Sequence, residues 1–499
     1  MTEFIQKLRS LSPLKLNTLA NYAGKFWSNL LSLVLVPVYL RYLGVEAYGL
    51  IGAFYAVTSF IGLLDLGLGV TISREVAVRQ AVPEKQATIP DLLRTTEIIY
   101  WSVSIVIVLM MAFLAEPIAT GWINFENLDL NTVKHTVTIL GLTVAIRWAI
   151  TPYRGTLMAL EKQVQVNILE GALRTFKEFG ALAVLLKISS TIIAFLLWQT
   201  LIAVFEVLFM MLLAWYCLPK SGIRATFKLD ILQQIWRFAA GVSWTMVVSL
   251  MLSQADKILL SKLVTLKEFG YYMLASSLAQ KIIIVIEPLI MAMAPSLTAM
   301  IAAGQEKYYS NFFHKSSLLI SLALTPVAAA LIFFAPTILE LWTQSSEVAL
   351  YTSTILVVLT FGAMLDSMSN IVNQIQLAIG KPQIAAIYNT ISLAILIPTM
   401  LLVVPRFNLT GAAVIRTILN ISYYLVLSKI TLAYIMPKEY LRWIVQDTLI
   451  PILLCFAIFF IFSQVKLSFV TKQFEIIYII APLITSYTLL GCWYKYQRI

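Results

Sequence analysis

Apolar runs of about twenty residues follow one another along almost the whole chain, parted only by short polar connections. Wound as a helix at about 1.5 Å per residue, such a run crosses the roughly 30 Å hydrocarbon layer of a bilayer. That layer holds no water to satisfy backbone N–H and C=O groups, so a single crossing segment must satisfy them internally, as a helix does. The runs lie at about 17–42, 47–73, 95–115, 134–158, 165–187, 190–218, 234–262, 268–298, 314–337, 349–377, 384–404, 409–433, 443–464 and 475–494, which predicts about fourteen transmembrane helices. Composition agrees, because only 12% of the 499 residues are charged, about half the share a soluble domain carries. The longest polar segment, around Glu116 to Lys134, is too short for a domain. The expected fold class is an all-α polytopic membrane protein that works within the bilayer.

Basic residues give an orientation, because Lys and Arg gather on the cytoplasmic side of bacterial membrane proteins. With the N-terminus in the cytoplasm, 21 of the 36 Lys and Arg fall on the cytoplasmic side, 8 on the other and 7 inside spans, so both termini are expected to be cytoplasmic. The net charge of +11 reflects this asymmetry and attraction to anionic lipid, and calls for no nucleic acid. Cys217, Cys455 and Cys492 have no paired spacing, which indicates neither a disulfide framework nor a thiolate metal site. His135 and His314 stand alone in sequence, and no short apolar core with a small-residue cleavage site marks a signal peptide.

The chain repeats itself weakly. GKFWS at 24–28 echoes GVSWT at 241–245, LRYLGVEAYGL at 40–50 echoes SKLVTLKEFGY at 261–271, and ALEKQ at 159–163 echoes AIGKPQ at 378–383. The offset stays near 219 residues, so six helices are repeated by the next six. An even number of helices per half gives both copies one orientation, with a cavity expected between them. The expected domains are a first lobe at 1–220, a second at 221–435, and two appended helices at 436–499 that pack on the second lobe and carry no mid-span charge.

A charge at the bilayer centre costs about 2.5–3.5 kcal/mol on insertion scales, so charged residues inside spans face a cavity or pair with each other. The first span carries Asn17, Asn21, Lys25 and Asn29 at spacings of four, which places them on one face. The fifth carries Gln163, Asn167, Glu170, Arg174, Lys177 and Glu178. The seventh has Ser249, Ser253 and Lys257 in a row with Asp256 adjacent, and the tenth has Asp366, Asn370 and Asn373. Arg147, Lys281, Glu287 and Arg416 complete the set. Glu170, Arg174 and Glu178 could simply neutralise one another along their helix, and Asp256 with Lys257 could anchor a helix end. In GLLDLGLGVTISREVAVRQ, residues 62–80, glycines permit close helix approach around Asp65, and Arg74 and Arg79 anchor the cytoplasmic end. Asp65 is expected either to partner a cation from another helix, such as Lys25, or to carry a proton or sodium ion.

LGVEAYGL, then GLLDLGLGVTISRE, SQADKILLSKLV and LAIGKPQ, resemble the Wzx-type polysaccharide flippases of the multidrug/oligosaccharidyl-lipid/polysaccharide exporter superfamily, over about residues 15–435. The resemblance implies alternating access of two six-helix lobes. Its substrate would be undecaprenyl-diphosphate-linked oligosaccharide, moved across the bacterial inner membrane for O-antigen or related surface polysaccharide. It implies no cofactor, and a polysaccharide polymerase and chain-length regulator as partners beside the membrane lipids. On this reading Lys25, Arg147, Arg174 and Lys177 take the diphosphate, with Asn21, Asn29, Lys257 and Arg416 as further binding residues. Asp65, Asp256, Glu287 and Asp366 are the coupling or gating candidates, with H+ or Na+ as the ion.

Two other readings compete. An ion-coupled drug antiporter of the same fold would prefer an acidic cavity, whereas basic residues are prominent in these spans. A membrane polymerase would present chemistry on a sizeable outer loop, and the chain has neither that loop nor a nucleophile–base, HExxH or phosphate-cradling motif. The chain is expected not to be an enzyme.

Overall fold

The structure, a computed structural model, describes residues 13–61, 68–218, 224–304, 306–465 and 472–496. Among them helix is the rule and no strand occurs. In chain order the helices are α1 (Pro13–Ile61), α2 (Leu68–Ala81), α3 (Ile89–Gly121), α4 (Leu130–Trp148), α5 (Thr151–Ala159), α6 (Gln163–Lys187), α7 (Ile192–Cys217), α8 (Leu229–Leu263), α9 (Leu266–Gln280) and α10 (Glu287–Ala302). There follow α11 (Glu306–Phe333), α12 (Ala335–Thr343), α13 (Ser346–Ala378), α14 (Gln383–Ser422), α15 (Ser428–Leu432), α16 (Tyr440–Arg442), α17 (Ile450–Gln464) and α18 (Lys472–Tyr496). Nine helical stretches among the described residues are long and apolar enough to cross a membrane, or ten with α9 and α10 taken as one bent span.

Among the described residues the apolar runs fall largely on helix, but helices do not end where the runs do. The first run and the start of the second share α1, whose break is Gly44 at φ 82°, a conformation that costs glycine little. The eleventh and twelfth share α14, broken at Asn408 (φ 49°). The eighth run bends by 48° around the 3-10 turn Lys281–Val285. There Pro288 opens α10, at a position where its missing N–H leaves no helical bond unmade. Asp129, Thr191 and Ser345 cap α4, α7 and α13, accepting from the backbone N–H of Thr132, Ala194 and Val348. Bonds from Thr132 hold the exposed Asp129 carboxyl below the usual carboxylate range.

The chain divides into two compact units, Met1–Leu250 with Thr265–Lys267, and Met251–Val264 with Glu268–Ile499. In the first, α3 lies on α4, α1 on α6, and α4 and α6 both on α7. Their inner faces meet in one core that holds Leu50, Ile72, Leu92, Val137, Tyr153 and Ala181. In the second, α13 is packed by α10, α11, α12 and α14. There α17 and α18 lie on α11, where Leu318, Leu322 and Phe334 meet Cys455, Phe459, Ile479 and Leu490. The Tyr487 hydroxyl adds a hydrogen bond to the Ala323 carbonyl, at 2.9 Å. Exposed apolar side chains such as Phe113, Leu402 and Ile461 are what a surface in lipid requires.

Candidate functional site

The charges of the fifth apolar run meet those of neighbouring helices inside the first unit. Lys177 and Glu178, both buried on α6, form an ion pair at 3.2 Å. The Tyr39 hydroxyl of α1 donates to the other Glu178 oxygen at 2.6 Å. Arg174 stands further from Glu178, at 3.9 Å. Arg147 of α4 reaches Glu206 of α7 at 3.7 Å, and Arg154 of α5 reaches Glu170 of α6 at 3.0 Å. Both Arg147 and Arg174 lie within electrostatic reach of Lys177, so the groups form one network of four cations and three carboxylates. The buried Nε–H groups of Arg147 and Arg174 make no hydrogen bond, although Arg174 Nε faces Glu178 Oε1 at 3.9 Å. A buried donor left without an acceptor costs about 1–3 kcal/mol, so this network suits an incoming oxyanion.

Helix α1 is fastened along the same face of α6. Trp27 donates its indole N–H to Thr175 at 2.8 Å, and a Cβ on Gly24 would sit 2.8 Å from Asn167 Oδ1. Lys25 is exposed and Asn29 half-buried here, and both take part in polar interactions. The side chain of Asn21 and the whole of Asp65 lie outside the described residues.

A second polar group forms within the second unit. Asp256 is buried and accepts from the Tyr272 hydroxyl at 2.7 Å, which ties α8 to α9. Lys257, also buried, donates to Gln254 at 3.3 Å. Arg416 of α14 donates to the Leu252 carbonyl at 2.8 Å and lies within electrostatic reach of Lys257, Asp366 and Tyr272. Asp256, Lys257, Asp366 and Arg416 thus come together, although they lie in three different apolar runs. Glu287 stands apart from this group in sequence, at the bend that opens α10, and makes its own polar contacts.

Several partnerships lie beyond what local spacing suggests. Glu170 makes its ion pair with Arg154 across a helix boundary, at 3.0 Å, and not with Arg174 one turn away. His314 does not stand alone in space, since Asp447 and Glu439 face its two ring nitrogens. The first appended helix brings a buried carboxylate, Asp447, into the second unit. Sequence reasoning also passed over Glu206 and Tyr39. Glu206 was findable, as a lone carboxylate in an apolar run has to find a partner. Tyr39 gave no signal, since a tyrosine is unremarkable in such a run.

These features define a multi-pass helical membrane protein with paired charges buried in its spans. A family model described as polysaccharide biosynthesis protein matches residues 14–301, more than half of the chain, and the chain belongs to that family. A second model, MatE, matches residues 242–402. A protein of Shigella flexneri assigned as an O-antigen transporter is 22% identical over 424 residues, 81% of this chain and 95% of that protein. Among solved structures, the lipid II flippase MurJ in an inward closed conformation superposes with a TM-score of 0.70 at 15% identity, over 97% of this chain and 99% of that one. An inward-facing multidrug resistance MATE family transporter of the MOP superfamily gives 0.64 at 14% identity, over 86% and 94%. The fold is therefore that of the MOP superfamily, and these relatives are transporters and flippases, not enzymes.

Proposed function

We propose that the protein is a flippase for undecaprenyl-diphosphate-linked oligosaccharide, moving it from the cytoplasmic to the periplasmic leaflet of the bacterial inner membrane by alternating access. The observation that carries this reading is the cationic network of the first unit, in which the Nε–H groups of Arg147 and Arg174 make no hydrogen bond. Arg147 and Arg174 hold the diphosphate, since a planar guanidinium can give a phosphate two parallel hydrogen bonds. Lys177, engaged by Glu178, adds its field from behind, and Lys25, Asn21 and Asn29 of α1 extend the site. Lys257 and Arg416 serve later in the passage, and Asp65, Asp256, Glu287 and Asp366 couple or gate it. The lobes at 1–220 and 221–435 alternate, and the helices at 436–499 help to guide the polyprenyl tail. A polymerase and a chain-length regulator take the product onward.

Depleting the protein in cells with intact glycosyltransferases is expected to remove surface polysaccharide while lipid-linked repeat units accumulate on the cytoplasmic face. Normal polysaccharide without accumulation overturns the reading.

Orientation has its own test. With both termini cytoplasmic, alkaline phosphatase fused after residue 499 is expected to be inactive, and an active fusion reverses the topology.

A further inference from the structure

His314 lies buried on α11, with a carboxylate against each ring nitrogen. Nδ1 is 2.5 Å from Asp447 Oδ2, in the π-helical turn Trp443–Leu449 that leads into α17. Nε2 is 3.0 Å from Glu439 Oε2, in the connection just before α16. These are direct hydrogen-bond distances, with no room for an ion between the atoms. A neutral imidazole has one N–H and one lone pair, so it can donate to only one of the two carboxylates and would turn its lone pair on the other. With both carboxylates ionised, a ring protonated on both nitrogens meets these distances with two charge-assisted hydrogen bonds.

The surroundings shield the ring and leave one carboxylate partly exposed. The His314 side chain is 7% exposed and that of Asp447 6%, whereas Glu439 is 30% exposed. Phe313, Trp443 and Tyr424 form an apolar wall around the site. The Tyr424 hydroxyl is engaged with Thr448. From α16, Arg442 comes within 3.6 Å of Glu439 and within electrostatic reach of Asp447. Glu439 also lines a cavity of about 550 Å³, together with Glu306, Lys307, Lys438 and Arg442. Glu439 is thus the member of the trio that faces the cavity.

We propose that His314, Glu439 and Asp447 form a proton-binding site whose doubly protonated ring fastens the segment 439–449, and with it α17, to α11. When the proton leaves, one carboxylate loses its donor and is repelled by the ring's lone pair, so the segment loosens. The π-helical turn is the part able to give, because its i→i+5 bonds are a local departure from the α-helical ladder beside it.

The chain has two histidines, so full-length protein carrying 15N-labelled imidazole in lipid nanodiscs gives two ring systems, assigned with His135→Asn. At pH 7 His314 is expected to show both nitrogens protonated. Asp447→Asn and Glu439→Gln are each expected to convert it to a single neutral tautomer at that pH, and to speed amide exchange of 439–449 about tenfold, as local opening does. Exchange in α3 and α4 should not change. A neutral ring in the native chain overturns the site, as does a ring that stays doubly protonated in both variants. Unchanged exchange in a variant whose ring has become neutral overturns the fastening. Should Asp447→Asn fail to accumulate, Glu439→Gln, on the more exposed side, carries the test.

Discussion

Charge reversal at Arg174 is expected to abolish surface polysaccharide while leaving the protein at normal abundance. The two halves of this expectation come from the same geometry. Arg174 is 38% exposed and 3.9 Å from Glu178, so as a structural ion pair it is worth little. Its Nε–H, the atom nearest Glu178, makes no hydrogen bond, and Lys177 lies within electrostatic reach of the guanidinium. A charged contact to a diphosphate there contributes about 1.5–3 kcal/mol, or roughly ten- to a hundredfold in affinity. Arg174→Glu replaces that contact with repulsion. Arg174→Lys keeps the charge but loses the planar fork, and is expected to retain partial export. Lys177 would be a poorer probe, because breaking its buried pair with Glu178 would destabilise the fold by about 3–5 kcal/mol. Surface polysaccharide and membrane abundance, measured together, decide the matter. Normal export by an Arg174→Glu protein would mean that the head group does not bind here.

Gly180→Ala is expected to cost stability although it adds a single methyl group. A Cβ at Gly180 would lie 2.1 Å from Trp198 Cζ2 and 2.4 Å from Cε2. The ring cannot swing aside freely, since its Nε1–H donates to the Lys177 carbonyl at 3.0 Å. Either that bond breaks or α6 moves away from α7, carrying Arg174 and Lys177 with it. Overpacking of this kind costs about 1–3 kcal/mol. The midpoint of thermal unfolding in detergent should fall, and combining Gly180→Ala with Trp198→Ala should cost less than the sum of the two single changes, because they meet at one contact. An unaltered midpoint in Gly180→Ala would show that α6 and α7 are not so close.

The amino-acid pattern was enough to show that this chain is helical and crosses a membrane many times, because hydrocarbon leaves the backbone of an apolar run no other way to satisfy its polar groups. It also determined which polar residues share a helix face, since spacings of three and four put Glu170, Arg174, Lys177 and Glu178 together on α6 whatever surrounds them. Partners were a different matter. Arg147 meets Glu206, Arg154 meets Glu170, and His314 meets Asp447 133 residues away, and no local spacing says which face of one helix lies against which face of another. Where helices bend was only partly legible, because Pro288 marks a break near α10 while the 3-10 turn Lys281–Val285 before it has no proline or glycine of its own. Only tertiary packing decided these things. Buried charges must be neutralised by whatever lies nearest in space, and nearness in space is set by the helices' whole surfaces rather than by their polar residues alone.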